Sequence, residues 1–184
     1  MSTGVVALAE IGDKTQLLAF VLAARFKRPV PIILGILAAT IVNHAAAGAL
    51  GAWITSVLSP DVLRWVIGLG FLGMAVWTLI PDKIDDEDTQ VKGRWGVFGT
   101  TAIAFFLAEM GDKTQIATVA MAAHYPNPVW VVVGTTLGML IADVPAVFVG
   151  DRFAKKIPMR LVHGIAAAMF AVMGVLALLK LDSF

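Results

Sequence analysis

The sequence predicts an all-α integral membrane protein of six transmembrane helices, arranged as two inverted three-helix repeats. Three observations carry that expectation. Of 184 residues, 59% are hydrophobic and only 15% charged, with a mean hydropathy of +0.85. Ordinary soluble domains carry about 25% charge, so too few polar residues remain to coat a soluble domain of this size. Six apolar stretches are long enough to cross a hydrocarbon core of about 30 Å, which takes about 20 residues of helix. The chain also matches itself without a gap at an offset of 99 residues, Glu109 falling on Glu10.

The same composition excludes other classes. Such high hydropathy is incompatible with disorder, and a net charge of +1 argues against a nucleic-acid partner. With no cysteine there is no disulfide, thiolate metal site or thiol redox centre. The apolar runs are too long, and alternate too little, for a β-barrel.

The spans are expected at Ser2 to Arg25, Pro29 to Val57, Val62 to Ile80, Trp95 to Ala123, Pro128 to Gly150 and Met159 to Leu179. The first has no basic leader and carries Glu10 and Asp13 in its middle, so it is not a signal peptide. The residues ahead of Glu10 make about 13 Å of helix, just reaching mid-bilayer, and a few more N-terminal residues are expected to precede them. The breaks carry turn chemistry: Arg25-Phe26-Lys27-Arg28-Pro29, Ser59-Pro60-Asp61, the charged linker after Pro81, Tyr125-Pro126-Asn127-Pro128, and the basic run from Asp151 to Pro158. The organisation is thus a first repeat over 1–81, an acidic linker over 82–94 and a second repeat over 95–184.

Lysine and arginine placement sets orientation. With the N-terminus outside, Arg25, Lys27, Arg28, Lys83, Lys92, Arg94, Arg152, Lys155, Lys156 and Arg160 are cytoplasmic, and only Arg64 and Lys180 are outside. Both termini are therefore expected outside. An odd number of spans per repeat then threads the second half in the opposite direction, the arrangement of many secondary transporters, whose substrate site lies at the repeat interface near the midplane.

The repeat is most specific where it is most polar. Glu10-x-Gly12-Asp13-Lys14-Thr15-Gln16 recurs as Glu109-x-Gly111-Asp112-Lys113-Thr114-Gln115. Read as continuous helix, residues three apart share a face, so each Glu and Asp point the same way. Packing the two copies together gathers four carboxylates and the amide oxygens of Gln16 and Gln115. Four carboxylates in low dielectric cannot all stay charged without compensation. Such a site binds a cation, takes up protons, or does both by turns, which is exchange of a divalent cation for protons. Hard oxygen donors favour Mn²⁺, Ca²⁺ or Mg²⁺ over Cu⁺ or Zn²⁺.

The remaining motif residues admit two roles each. Lys14 and Lys113 neutralise carboxylates in the empty state or snorkel to an interface; an ammonium is no metal ligand. Gly12 and Gly111 serve close helix packing or a local unwinding that frees carbonyls. Thr15 and Thr114 supply hydroxyl ligands or bond back to their own helix. Three further polar residues lie within spans: Asn43, His44 and Asp143. Asp143, matched by the repeat to His44, is a proton carrier, ligand or supporting acid, or else a helix-packing hydrogen bond. His44 is a proton relay or a satisfied bundle histidine, and Asn43 is helix glue or an ion-path residue.

The acidic run Asp82, Asp85, Asp86, Glu87 and Asp88 lacks the glycine of an EF-hand loop and reads as a solvated linker. Trp53, Trp65, Trp77, Trp95 and Trp130 lie near span ends, where aromatic belts form. The methionines are scattered, as packing residues are.

The doubled Glu-x-Gly-Asp-Lys-Thr motif, one copy per three-helix half, resembles the signature of the Gdt-type cation exporters, which include bacterial MneA-type manganese exporters and Golgi and chloroplast relatives. The resemblance covers essentially the whole chain. It implies transport of Mn²⁺, and in some members Ca²⁺, in exchange for protons, with Glu10, Asp13, Glu109 and Asp112 as transport-site acids and no cofactor. It also implies export from the cytoplasm across a bacterial inner membrane. Two other classes compete: an exporter of amines or small solutes, which would ignore Mn²⁺, and an intramembrane enzyme, for which the usual nucleophile or metal–histidine set is missing. Oligomeric state is not legible in the sequence.

Overall fold

The computed structural model describes residues 1–80, 95–149 and 159–179. The acidic linker over 82–94, the basic run over 151–158, and Lys180 lie outside the described residues. The described residues form eight helices and no strand: α1 (Ser2–Glu10), α2 (Lys14–Phe26), α3 (Pro29–Val57), α4 (Pro60–Thr78), α5 (Gly96–Glu109), α6 (Lys113–His124), α7 (Pro128–Val149) and α8 (Met159–Leu178).

Four of these, α3, α4, α7 and α8, are long and apolar enough to cross a membrane. Prolines open α3, α4 and α7 at their first turn, where a missing N–H costs nothing. Large apolar side chains remain exposed along the bundle, among them Leu34, Val42 and Leu50 on α3, Leu137, Ile141 and Phe148 on α7, and Val172 on α8. A surface of this kind suits lipid, and the chain is a multi-pass membrane protein. Trp53, Trp65, Trp95 and Trp130 are exposed near helix ends, whereas Trp77 packs partly against the core.

The first and fourth expected spans are not continuous. Each is split at its motif into two short helices, α1/α2 and α5/α6, and this corrects the uninterrupted helices expected at Ser2 to Arg25 and Trp95 to Ala123. Gly12 at φ 85° and Gly111 at φ 77° lie in the left-handed region, which glycine enters without a Cβ penalty. A Cβ on Gly111 would meet nothing within 4 Å. At that position the glycine serves unwinding, not close packing.

The two halves exchange helices. α3 packs on α5 and α6, while α7 packs on α1 and α2. Small residues allow the approach: a Cβ on Gly35 would sit 2.7 Å from Thr101 Cβ, and one on Gly138 2.6 Å from the Thr3 carbonyl. Gly35 lies opposite Thr101 and Asn43 opposite Phe106, so α3 and α5 run parallel. Gly134 and Gly138 face Ser2 through Ala7, so α1 and α7 do likewise. α4 and α8 run antiparallel, with Gly68 against Leu178 and Gly174 against Leu72. The Phe71 and Phe170 rings, matched by the repeat, stack at 6.3 Å between centroids.

Two apolar cores result. One gathers Val5, Val6 and Ala9 of α1 with Phe71 and Met74 of α4, Met121 of α6 and Phe170 and Met173 of α8. The other gathers Leu18 and Leu22 of α2, Ile32 and Ile36 of α3, Phe105 and Ala108 of α5, and Val147 of α7. The helix breaks, with their acids, lie where α1 and α5 end and α2 and α6 begin, between elements of the two cores.

Candidate functional site

The unwound motifs build the site. At each break the chain turns once, Asp13 N–H donating to the Glu10 carbonyl and Asp112 N–H to the Glu109 carbonyl, both at 3.0 Å. Glu10 and Glu109 are the last residues of α1 and α5, and Asp13 and Asp112 cap α2 and α6. Each Glu–Asp pair is therefore brought together by the turn and not by a shared helical face, which corrects the continuous-helix geometry. Glu10, Asp13, Glu109 and Asp112 are all buried. The N-termini of α2 and α6, with their partial positive charge, adjoin these carboxylates.

Gln16 and Gln115 hold the turns. The Gly12 N–H donates to Gln16 Oε1 over 2.9 Å, and the Gly111 N–H to Gln115 Oε1 over 2.8 Å. Both amide oxygens, offered by the sequence to a cation's shell, are engaged by backbone here. Gln16 Nε2 donates in turn to the Ala142 carbonyl at 2.9 Å, three residues before Pro145, which interrupts the hydrogen-bond ladder of α7.

Thr15 donates to Glu10 Oε2 at 2.6 Å, and Thr114 to Glu109 Oε2 at 3.2 Å. Neither hydroxyl bonds back to its own helix as the sequence suggested, because the break brings the preceding glutamate within reach. The lysines cross between halves: Lys113 Nζ lies 2.6 Å from Asp13, and Lys14 Nζ 3.3 Å from Asp112. Lys113, fully buried, does not snorkel.

One oxygen from each of Glu10, Glu109 and Asp112 lies within 4.8 Å of the other two. Oxygens sharing a Ca²⁺- or Mg²⁺-like ion at about 2.0–2.6 Å stand at most about 5 Å apart, so these three suffice for a first set of ligands. Among the described residues, Glu10 Oε1 and Glu109 Oε1 have no hydrogen-bond partner. Asp143 is buried, within electrostatic reach of both glutamates, and neither of its oxygens has a hydrogen-bond partner among the described residues. Buried polar atoms without partners are uncommon and call for an occupant. His44 is also buried, with neither ring nitrogen partnered among the described residues, while Asn43 donates to the Phe106 carbonyl over 3.2 Å and so ties α3 to α5.

A donor set made only of oxygen, buried in an apolar bundle and doubled with the chain, fits a site for a hard divalent cation. A family profile described as "Divalent cation/proton antiporter GDT1" matches residues 1–86 and 97–183. The chain belongs to the GDT1 family. Its GDT1 relatives are similar over most of their length. A protein of Vibrio cholerae named "Putative manganese exporter" is 52% identical over 174 residues, 94% of this chain and 86% of that protein. "GDT1-like protein 3" of Oryza sativa subsp. indica is 30% identical over 92% of this chain and 69% of its own. "GDT1-like protein 5" of Arabidopsis thaliana is 27% identical over 94% and 91%. No solved structure matches the chain.

One residue beside the first break escaped the sequence. His163 of α8 places Nε2 3.1 Å from the Ile11 carbonyl, a group released by the first break. The repeat sets Arg64 at the matching position, and Arg64 pairs instead with Asp61 at 3.9 Å. Without symmetry or motif spacing, only the fold could connect His163 with Ile11.

Proposed function

We propose that this chain exports Mn²⁺ from the bacterial cytoplasm across the inner membrane in exchange for protons. The convergence of Glu10, Glu109 and Asp112 on one buried point carries the proposal, with the membership in a cation/proton antiporter family and the manganese-exporter relative in support. Glu10, Glu109 and Asp112 take the ion first. Asp13 joins the set as the halves rearrange, and Gln16 and Gln115 turn their amide oxygens to it if the breaks re-form. Asp143, within electrostatic reach of both glutamates, and His44, at the position the repeat matches to it, carry protons to and from the acids.

The proposed architecture is six spans in two inverted repeats, over 1–81 and 95–184, with α1/α2 and α5/α6 each forming one broken span and both termini outside. The parallel pairs α1/α7 and α3/α5 and the antiparallel pair α4/α8 agree with it. Broken helices that offer free backbone ends to an ion at mid-depth recur in secondary transporters. The all-oxygen donor set also admits Ca²⁺, so the two ions compete in the same assay.

The test is flux in proteoliposomes under an imposed Mn²⁺ gradient, with internal pH and Mn²⁺ followed together, and Ca²⁺ and Mg²⁺ as competitors. Proton movement opposite to Mn²⁺ is expected, and Asp13→Asn abolishes both fluxes. Mn²⁺ movement without proton movement refutes the exchange. An amine exporter would show no metal-dependent flux or stabilisation at all.

A further inference from the structure

The two lysines hold the two aspartates across the halves, and they are not equivalent. The Lys113–Asp13 pair is short at 2.6 Å and fully enclosed, with neither side chain exposed. The Lys14–Asp112 pair is looser at 3.3 Å, and 22% of the Lys14 side chain is exposed. The backbone around each pair differs in the same sense. Met110 and Gly111 at the second break are exposed, whereas Ile11 and Gly12 are only partly so, and His163 bonds to Ile11. The oxygens that converge follow this asymmetry too. They belong to Glu10, Glu109 and Asp112, so the set includes the aspartate of the loose pair and not that of the enclosed one.

A divalent cation on those three oxygens would stand beside the Lys14 ammonium, which lies within electrostatic reach of Asp112, Asp13 and Glu109. Two cations at that spacing repel strongly in a medium of low dielectric. One must leave, and Lys14 is the freer of the two lysines, its side chain partly exposed where that of Lys113 is enclosed. Lys113 is fully enclosed, and its departure would take the closest countercharge from a fully buried aspartate, a strongly destabilising step.

We infer that Lys14 is a tethered cation that occupies Asp112 while the site is empty and swings aside when the transported ion loads, while Lys113 stays on Asp13. Lys14 is thus a positioning residue that sets the ion's affinity by competing for one carboxylate. This rests on the site being one for divalent cations. In population terms, Lys14 reduces the fraction of sites ready to bind, and the observed affinity falls by that fraction.

The experiment is calorimetric titration of Mn²⁺ into the full chain in detergent, with thermal unfolding measured with and without Mn²⁺. The variants are Lys14→Met, Lys14→Arg, Lys113→Met and Lys113→Arg. Lys14→Met is expected to tighten Mn²⁺ binding about tenfold, and to lower metal-free thermal stability in a way that Mn²⁺ restores. Lys14→Arg, which keeps the competing charge, stays near wild type. Lys113→Met lowers thermal stability with or without metal and does not tighten binding; should it fail to fold, Lys113→Arg reports on the same pair. Lys14→Met with unchanged or weaker affinity, as a purely structural lysine would give, overturns the inference, as does equal tightening by a Lys113 variant. A wild-type chain that binds neither Mn²⁺, Ca²⁺ nor Mg²⁺ overturns the site's assignment, and this inference with it.

Discussion

Replacing Thr15 by valine removes one hydrogen-bond donor and nearly preserves the shape of the side chain. In the structure that donor gives Glu10 Oε2 its 2.6 Å bond, both residues are fully buried, and Glu10 Oε1 has no partner. The variant therefore removes the closest donor to a buried carboxylate and leaves it only the more distant Thr114 hydroxyl. A hydrogen bond to a charged group contributes about 1.5–3 kcal/mol, and about 1.4 kcal/mol is tenfold in an equilibrium constant. A protonated Glu10 loses less than an ionised one when the donor disappears. The loss thus falls mainly on the metal-bound form, and the Mn²⁺ dissociation constant should rise by about tenfold. Thr114→Val offers the internal control. Its bond to Glu109 is longer, at 3.2 Å, and its hydroxyl also lies 3.5 Å from Asp112, so a smaller rise of about threefold is expected. Calorimetric titration at constant pH, with thermal unfolding alongside, reads both. Thr15→Val within twofold of wild type, or less affected than Thr114→Val, would refute the claim that this hydroxyl supports the ionised acid.

Packing and pH supply further tests. A Cβ on Gly51 would lie 2.5 Å from the Val119 carbonyl oxygen and 2.8 Å from Ala122 Cβ, so Gly51→Ala displaces α6 and costs about 1–3 kcal/mol, seen as a lower unfolding temperature in detergent. Gly70 in α4 meets nothing within 4 Å, and Gly70→Ala should stabilise by about 0.5–1 kcal/mol in the same measurement. Carboxylates must be deprotonated to ligate a metal. Mn²⁺ affinity should therefore weaken as pH falls, with protons released on binding, and an affinity that does not change between neutral and acidic pH would contradict carboxylate ligation.

The repeat and its acids were legible because a polar heptapeptide inside an apolar stretch has few explanations, and its second copy removes chance. The breaks at Gly12 and Gly111 were legible only as one of two options. Glycine inside an apolar run serves close packing and unwinding alike, and the choice depends on whether neighbours crowd it. What the sequence left hidden is what depends on contacts between distant segments. Nothing in the spacing says that Lys14 meets Asp112 and Lys113 meets Asp13, since each lysine is adjacent in sequence to the other aspartate. The glutamines carried a local signal that was available: a side-chain amide four residues beyond a glycine can cap that glycine's N–H once the helix opens. Thr15 and Thr114 do not bond back to their own helices because that role assumed an unbroken helix, and the break brings Glu10 and Glu109 within their reach. His163 had no signal, its carbonyl partner being more than a hundred residues away in the chain.

The crossed ion pairs also bear on how the protein is made. Asp13 emerges from the ribosome well before Lys113, and Lys14 before Asp112. At about 5–20 residues per second, the intervening chain takes several seconds to synthesise. During that interval the newly inserted first half carries Glu10 and Asp13 without the lysine that later sits against Asp13, and without α7 to cover α1 and α2. On this reading biogenesis would pass through a waiting state, in which the leading segment is held near the headgroups or by the insertion machinery until its partner lysine arrives. A chain terminated before its second motif would be held there, and membrane quality control would meet an acidic helix with no counterpart.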